Sequence, residues 1–221
     1  MLHVAVWAIA LLAVLSALVF AFRLVTRGLA KPSRNKRPRQ SACSMLVVLG
    51  SGGHTSEMIA MLQGMDGERY TPVAFVVADS DTSSLVRLEK ADAVLSRAHK
   101  SVHTIPRSRE VKQSWTSTLI SSLWAMAASV RLVFKLRPEL VLVNGPGTCV
   151  PICLAAFLQR VLGLSDPTIV FVESVCRVES LSLSGKLLYP VADRFVVHWR
   201  ELQQRLVASG YRRVEYVEEL Y

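Results

Sequence analysis

This chain of 221 residues predicts a doubly wound α/β domain built on a parallel sheet, and three observations carry that expectation. Strand-length apolar runs, "SMLVVLG", "TPVAFVVA", "ELVLVN", "TIVFVE" and "RFVVHW", alternate with stretches of helical spacing. The runs are nearly continuous in apolar residues, as strands covered on both faces are. Glycine, histidine, asparagine and acids gather where the runs end, and open parallel sheets bind ligands beyond the carboxyl ends of their strands.

Taken in order, residues 2–22 come first and hold no formally charged side chain. As a helix they reach about 31 Å, close to the hydrocarbon thickness of a bilayer. A cleaved signal peptide wants a basic start, a shorter apolar stretch and a small-residue cleavage site, none of which is clear here. Arg23, Arg27, Lys31, Arg34, Lys36, Arg37 and Arg39 follow directly, which keeps that side in the cytosol and sends the short N-terminus across the membrane. The expected organisation is a single transmembrane anchor at 1–24, a basic juxtamembrane linker at 25–43 broken by Pro32 and Pro38, and a cytosolic domain at 44–221. The linker is a solvated tether or touches anionic headgroups. Those seven cations belong to the 26 basic residues behind the formal charge of +9; without them 19 bases face 17 acids. A nucleic-acid reader carries its charge on the folded domain, so nucleic acid is not an expected partner.

Within the domain, "SMLVVLG" is the first strand and runs into a glycine-rich loop, with a helix at 54–62. "TPVAFVVA" ends at Asp79, Ser80 and Asp81, and 82–97 reads as helix, followed by a short extended piece at 102–105. A long helical stretch at 111–136 precedes "ELVLVN", and 149–162 is helical again. "TIVFVE", a helix at 184–189, "RFVVHW" and a helix at 201–208 complete the series. Two segments imitate membrane spans, 111–136 and the uncharged 140–159. The second is interrupted by Asn144-Gly145-Pro146-Gly147, which a lipid-exposed helix does not tolerate. Both read as buried crossover helices, the first with the option of laying Trp115 and Trp124 on a membrane surface.

The first loop, Gly50-Ser51-Gly52-Gly53-His54, lets backbone amides and a helix N-terminus approach a phosphate or sugar closely. It matches neither the dinucleotide fingerprint, whose third glycine falls on Thr55, nor the P-loop, since Gly185-Lys186 is followed by Leu187. The alternative is a tight turn with no ligand. A neutral His54 at the helix start accepts a proton from a sugar hydroxyl, or else caps the helix; Glu57 reads as a capping carboxylate. Asp79 and Asp81 read as turn chemistry rather than a metal site, and no metal is expected. Cys43, Cys149, Cys153 and Cys176 form no CxxC pair and read as free, mostly buried thiols.

Four motifs, "GSGGHTSEM", "IPRSREVKQSW", "RPELVLVNGPGTCVPIC" and "VESVCRVESLSLSGKLLYP", occur in one order. Over nearly all of residues 44–199 the chain resembles the membrane-anchor subunits of the UDP-N-acetylglucosamine transferase that adds the second GlcNAc to GlcNAc-diphosphate-dolichol. That family is similar to the N-terminal half of two-domain (GT-B type) glycosyltransferases, among them the bacterial peptidoglycan GlcNAc transferase, in which this half handles the lipid-diphosphate acceptor and the other half binds the UDP-sugar. A full enzyme of that type needs about 150 further residues; the family recruits them as a separate cytosolic subunit. The resemblance thus implies a catalytic partner carrying UDP-GlcNAc, no cofactor in this chain, a GlcNAc-PP-dolichol acceptor and a place at the endoplasmic reticulum membrane. It implies an inverting β1-4 transfer by a complex whose anchor subunit is inactive alone. It also implies site roles: His54 as base or acceptor orienter, and Gly52 and Gly53, with Gly50 and Ser51, facing the diphosphate. Asn144, Gly147 and Thr148 line the crevice, Glu173 positions sugar hydroxyls, and Arg107 and Arg109 pair with diphosphate or serve structure. The ending "YVEELY" departs from the short apolar tail expected of the family. Two other readings stand beside this one: a non-catalytic membrane scaffold with a vestigial crevice, and a tethered nucleotide-binding domain of another class.

Overall fold

The computed structural model describes residues 41–91, 99–107 and 115–218, with scattered positions between Leu11 and Thr26. Most of the expected anchor and all but four residues of the linker lie outside the described residues; the positions described between Leu11 and Phe22 are helical and exposed. Among the described residues, no helix is long and apolar enough to cross a membrane.

The strands are β1 (Met45–Val48), β2 (Val73–Ala78), β3 (Lys100–Ile105), β4 (Leu140–Val143), β5 (Thr168–Val172), β6 (Arg194–Val197) and β7 (Val214–Tyr216). The helices are α1 (Gly53–Gln63), α2 (Thr82–Ala91), α3 (Trp115–Leu136), α4 (Cys149–Val161), α5 (Leu183–Leu188) and α6 (Arg200–Ala208). The strands form one sheet in the order β3-β2-β1-β4-β5-β6-β7, and every pairing is parallel. Alternate strand residues point to opposite faces. Leu46, Val48, Val141, Val143, Phe171 and Phe195 therefore join Val133, Ile152, Leu188 and Leu202 from α3 to α6 in one core. Met45, Val47, Phe75 and Val77 meet Met58, Leu62 and Leu88 from α1 and α2 in the other. Central strands consequently read as unbroken apolar runs, whereas the edge strand β3 shows a partly exposed pattern.

The expected doubly wound parallel sheet is present. β7 is an additional strand; three residues with a charged centre, "VEY", carry too little pattern to be read in advance. The piece expected at 102–105 starts earlier, at Lys100. The helix read at 82–97 is described to Ala91, and residues 92–98 and 108–114 lie outside the described set. The uncharged stretch 140–159 is β4, a turn and most of α4. Its Cys149, Cys153, Ala155 and Ala156 are fully buried, and Gln159 Nε2 donates to the Val133 carbonyl of α3 at 3.1 Å. On α3, Leu123 and Trp124 are exposed.

Candidate functional site

Sequence order reverses direction in the sheet between β1 and β4, and the crevice beyond the carboxyl ends of such a pair is where ligands bind. A cleft of about 260 Å³ lies here, lined by Ser51, His54, Asp81, Arg107, Gly147 and Thr148 among others. Two glycines build it for different reasons. Gly52, ahead of α1, has φ 69°, a conformation other residues rarely adopt. Gly50 permits close approach: a Cβ there falls 2.4 Å from Pro146 Cγ in the β4–α4 loop. Around the would-be Cβ of Gly147 nothing lies within 4 Å, so the cleft wall is bare backbone at that point.

His54 is the second residue of α1. Its Nδ1 is buried and has no hydrogen-bond partner among the described residues. The would-be Cβ of Gly145 (φ 85°) lies 3.6 Å from both His54 Nδ1 and Glu173 Oε1. His54 and Glu173, from the ends of β1 and β5, thus converge on one glycine of the β4 loop. Glu173 is fully buried. Its Oε2 accepts from Ser182 N at 2.9 Å and Ser182 Oγ at 3.0 Å, and its Oε1 from Ser174 N at 3.1 Å. Ser182 caps α5 by accepting from Gly185 N, so the Glu173 carboxylate anchors the 174–182 loop.

Asn144 is also fully buried. Its Nδ2 donates to the His54 carbonyl at 2.7 Å and to Glu57 Oε2 at 3.4 Å, and Glu57 Oε1 accepts from Ser174 Oγ at 2.9 Å. The assignment of Glu57 to capping is therefore corrected. Gly52 is the N-cap of α1 without a side-chain cap bond, and the Glu57 carboxylate ties the ends of β4 and β5 to α1 instead. Thr148 is the buried N-cap of α4, likewise without a side-chain cap bond.

On the other flank, Thr55 Oγ1 donates to the Gly50 carbonyl and shares a 2.6 Å hydrogen bond with Ser84 Oγ. Ser84 Oγ donates to Asp81 Oδ2 at 2.6 Å, and Ser84 N to Asp81 Oδ1 at 3.1 Å. Asp81 thus caps α2, in line with the turn chemistry expected of it. Burial raises the Asp81 carboxyl, but hydrogen bonds from Ser84 and Ser83 and the Arg107 charge outweigh it and hold the pKa below the ordinary 3.8. Arg107 Nη2 donates to Ser51 Oγ at 3.3 Å. Arg109 lies outside the described residues. Among the described residues no group of three or more His, Cys, Asp or Glu is placed to hold a metal ion. Cys149 and Cys153 are buried, and burial pushes both thiols up; Cys43 is half-buried and Cys176 exposed.

Sequence reasoning missed two residues. Arg87 Nη1 donates to the Gly52 carbonyl at 2.6 Å and Ser56 Oγ at 2.7 Å, clamping the glycine turn; its three-residue spacing from Ser84 signals a shared helix face. His198, half-buried past β6, bonds the Glu173 backbone and feels the Glu57 charge. Nothing in "RFVVHW" distinguishes it from a surface histidine.

A family model described as "Oligosaccharide biosynthesis protein Alg14 like" matches residues 45–219. The human UDP-N-acetylglucosamine transferase subunit ALG14 is 43% identical over 207 residues, 90% of this chain and 95% of that protein. The Schizosaccharomyces pombe subunit alg14 is 40% identical over 209 residues, 93% and 94% of the two chains. Among solved structures, Acinetobacter baumannii MurG aligns with a TM-score of 0.51 at 17% identity, over 72% of this chain and 41% of its own. Neisseria meningitidis UDP-GlcNAc 2-epimerase aligns at 0.55 and 12% identity, over 80% and 47%. The chain thus spans under half the length of these two structural relatives, and the likeness to them is one of fold.

Proposed function

Since this chain belongs to the Alg14 family of oligosaccharide biosynthesis proteins, we propose that it is a subunit of a UDP-N-acetylglucosamine transferase, working on the acceptor side. The observation that carries the acceptor role is the cleft at the β1–β4 reversal, where bare backbone, His54 and Arg107 meet. In this reading the acceptor is GlcNAc-diphosphate-dolichol. Gly52, Gly53 and the Arg107 guanidinium receive the diphosphate, which suits guanidinium geometry; Arg109 is a second candidate. Inverting β1-4 transfer by single displacement takes a proton from the acceptor hydroxyl, and His54, which lines the cleft, is the group offered for it. Asn144 and Glu173 serve this site by holding loops, while Gly147 and Thr148 form its wall.

The donor UDP-GlcNAc binds a separate cytosolic catalytic subunit, without which this chain has no turnover. The apolar segment 1–24 anchors it in the endoplasmic reticulum membrane, with the N-terminus lumenal and the domain cytosolic. The test is reconstitution with UDP-GlcNAc and a GlcNAc-diphosphate-lipid, with and without the partner. Product only with the partner, and a loss of about 10²–10⁴-fold in His54→Ala, is expected. Turnover by the chain alone rejects the division of labour. An unimpaired His54→Ala complex turns the chain into a scaffold.

A further inference from the structure

The part-buried polar chain that starts at Glu57 is not among the groups assigned to the substrate, yet it touches the backbone of His54. Glu57 follows His54 by three residues, so both lie on one side of the first turn of α1. Asn144 reaches from the end of β4 and spans that turn, donating through one nitrogen to the His54 carbonyl and to Glu57 Oε2. Ser174, from the end of β5, donates to the other Glu57 oxygen. Both partners of the Asn144 nitrogen are acceptors, which fixes the amide orientation and leaves Asn144 Oδ1 buried and without a partner among the described residues. A sheet selected for stability alone would fill this point with an apolar side chain, because a half-satisfied buried amide is worse than a hydrocarbon one. Such an arrangement belongs to a site in which geometry matters more than stability.

We propose that Glu57 is a positioning residue: its carboxylate holds Asn144, and through Asn144 it sets where the His54 imidazole stands over the cleft. The proposal rests on the acceptor-side role of the cleft, since it needs His54 to act on the substrate. Asn144 is the hinge of the device and Ser174 its second tether; the carboxylate itself touches no substrate.

The experiment uses the full chain in complex with its catalytic partner, assayed with UDP-GlcNAc and a GlcNAc-diphosphate-lipid. Glu57→Ala frees the first turn of α1 and lowers kcat about 10–100-fold, the size expected when a reacting group is misplaced by about 1 Å, while the acceptor KM moves less than about threefold. Glu57→Gln keeps one oxygen for Asn144 and offers its amide to Ser174 Oγ, so kcat returns to within about threefold of wild type. In a His54→Ala background, Glu57→Ala costs nothing further, because coupled residues do not add. Wild-type kcat in Glu57→Ala, a Gln variant no better than Ala, or losses that multiply with His54→Ala each overturn the proposal. If the wild-type complex itself fails to turn over, the functional reading falls. Positioning is then decided by NMR of the full chain with ¹³C-labelled histidine: the His54 ring signals move in Glu57→Ala and return in Glu57→Gln, or their constancy ends the idea.

Discussion

Gly50→Ala tests the joint on which the cleft depends. The added methyl falls 2.4 Å from Pro146 Cγ, 2.5 Å from Pro146 Cβ and 3.1 Å from His54 Cβ. Carbon atoms sit best at about 3.5–4.0 Å, so the overlap exceeds about 1 Å and involves a rigid ring. Relief comes only by moving the Asn144–Thr148 loop away from α1 or bending the end of β1. Overpacking of this kind costs about 1–3 kcal/mol, which at about 2–4 °C per kcal/mol for a domain of this size lowers Tm by roughly 2–12 °C. The same displacement separates His54 from the β4 loop, so turnover of the complex falls about 10²-fold. The assays are thermal unfolding and acceptor turnover, with Gly64→Ala as the control. Gly64 is exposed, has φ −84° and has no atom within 4 Å of a new Cβ, and its substitution stays within about 0.5 kcal/mol. If Gly50→Ala unfolds and turns over like Gly64→Ala, the packing of the two loops is not what shapes the site.

Further outcomes follow from other parts of the fold. Gly185→Ala sets a Cβ 2.6 Å from Glu173 Oε2, a carboxylate already fixed by Ser182, and lowers stability by about 1–3 kcal/mol in denaturant unfolding. Burial holds the His198 imidazole below its ordinary 6.5, against the opposing Glu57 charge and Glu173 bond. Below pH 6.5 the unfolded chain therefore binds more protons than the folded one. Stability contributed by neutral His198 is complete above that pH and drains as pH falls toward the folded value. His103, lowered by burial and by Lys135, adds a slope of the same sign. Unfolding midpoints between pH 5 and 7 should slope less in His198→Gln. In native protein, alkylation by iodoacetamide labels exposed Cys176 and spares Cys149 and Cys153, whose buried thiols resist ionisation; mass spectrometry reads the pattern.

The sheet was legible because its central strands are buried on both faces and so appear as apolar runs that local reading detects. β7 was not, since an edge strand of three residues has neither length nor pattern. Within the site, Gly50, Gly52 and His54 stood out because glycines crowded directly after a strand cost backbone entropy and mark a tight turn or a close approach. The true partners of Glu57 and Arg87 were hidden, since they depend on which strands become neighbours. Asn144 meets the His54 carbonyl across 90 residues of sequence and Ser174 meets Glu57 across 117. The local grammar of α1 offered capping as the nearest use for Glu57, and the tertiary structure found another. Glu173 likewise looked like a ligand group in "VESV", while its side chain is occupied by Ser182 and Ser174.

The strand order has a consequence for synthesis. A nascent chain that has left the ribosome as far as Val143 holds β1, β2 and β3, and pairs β1 with β4, yet its glycine turn faces no opposing loop. Because domains emerge from the N-terminus first, the pocket is among the last features to close, and growing chains carry an apolar half-sheet through the interval. Folding helpers that act on this protein therefore meet a sheet awaiting its second half.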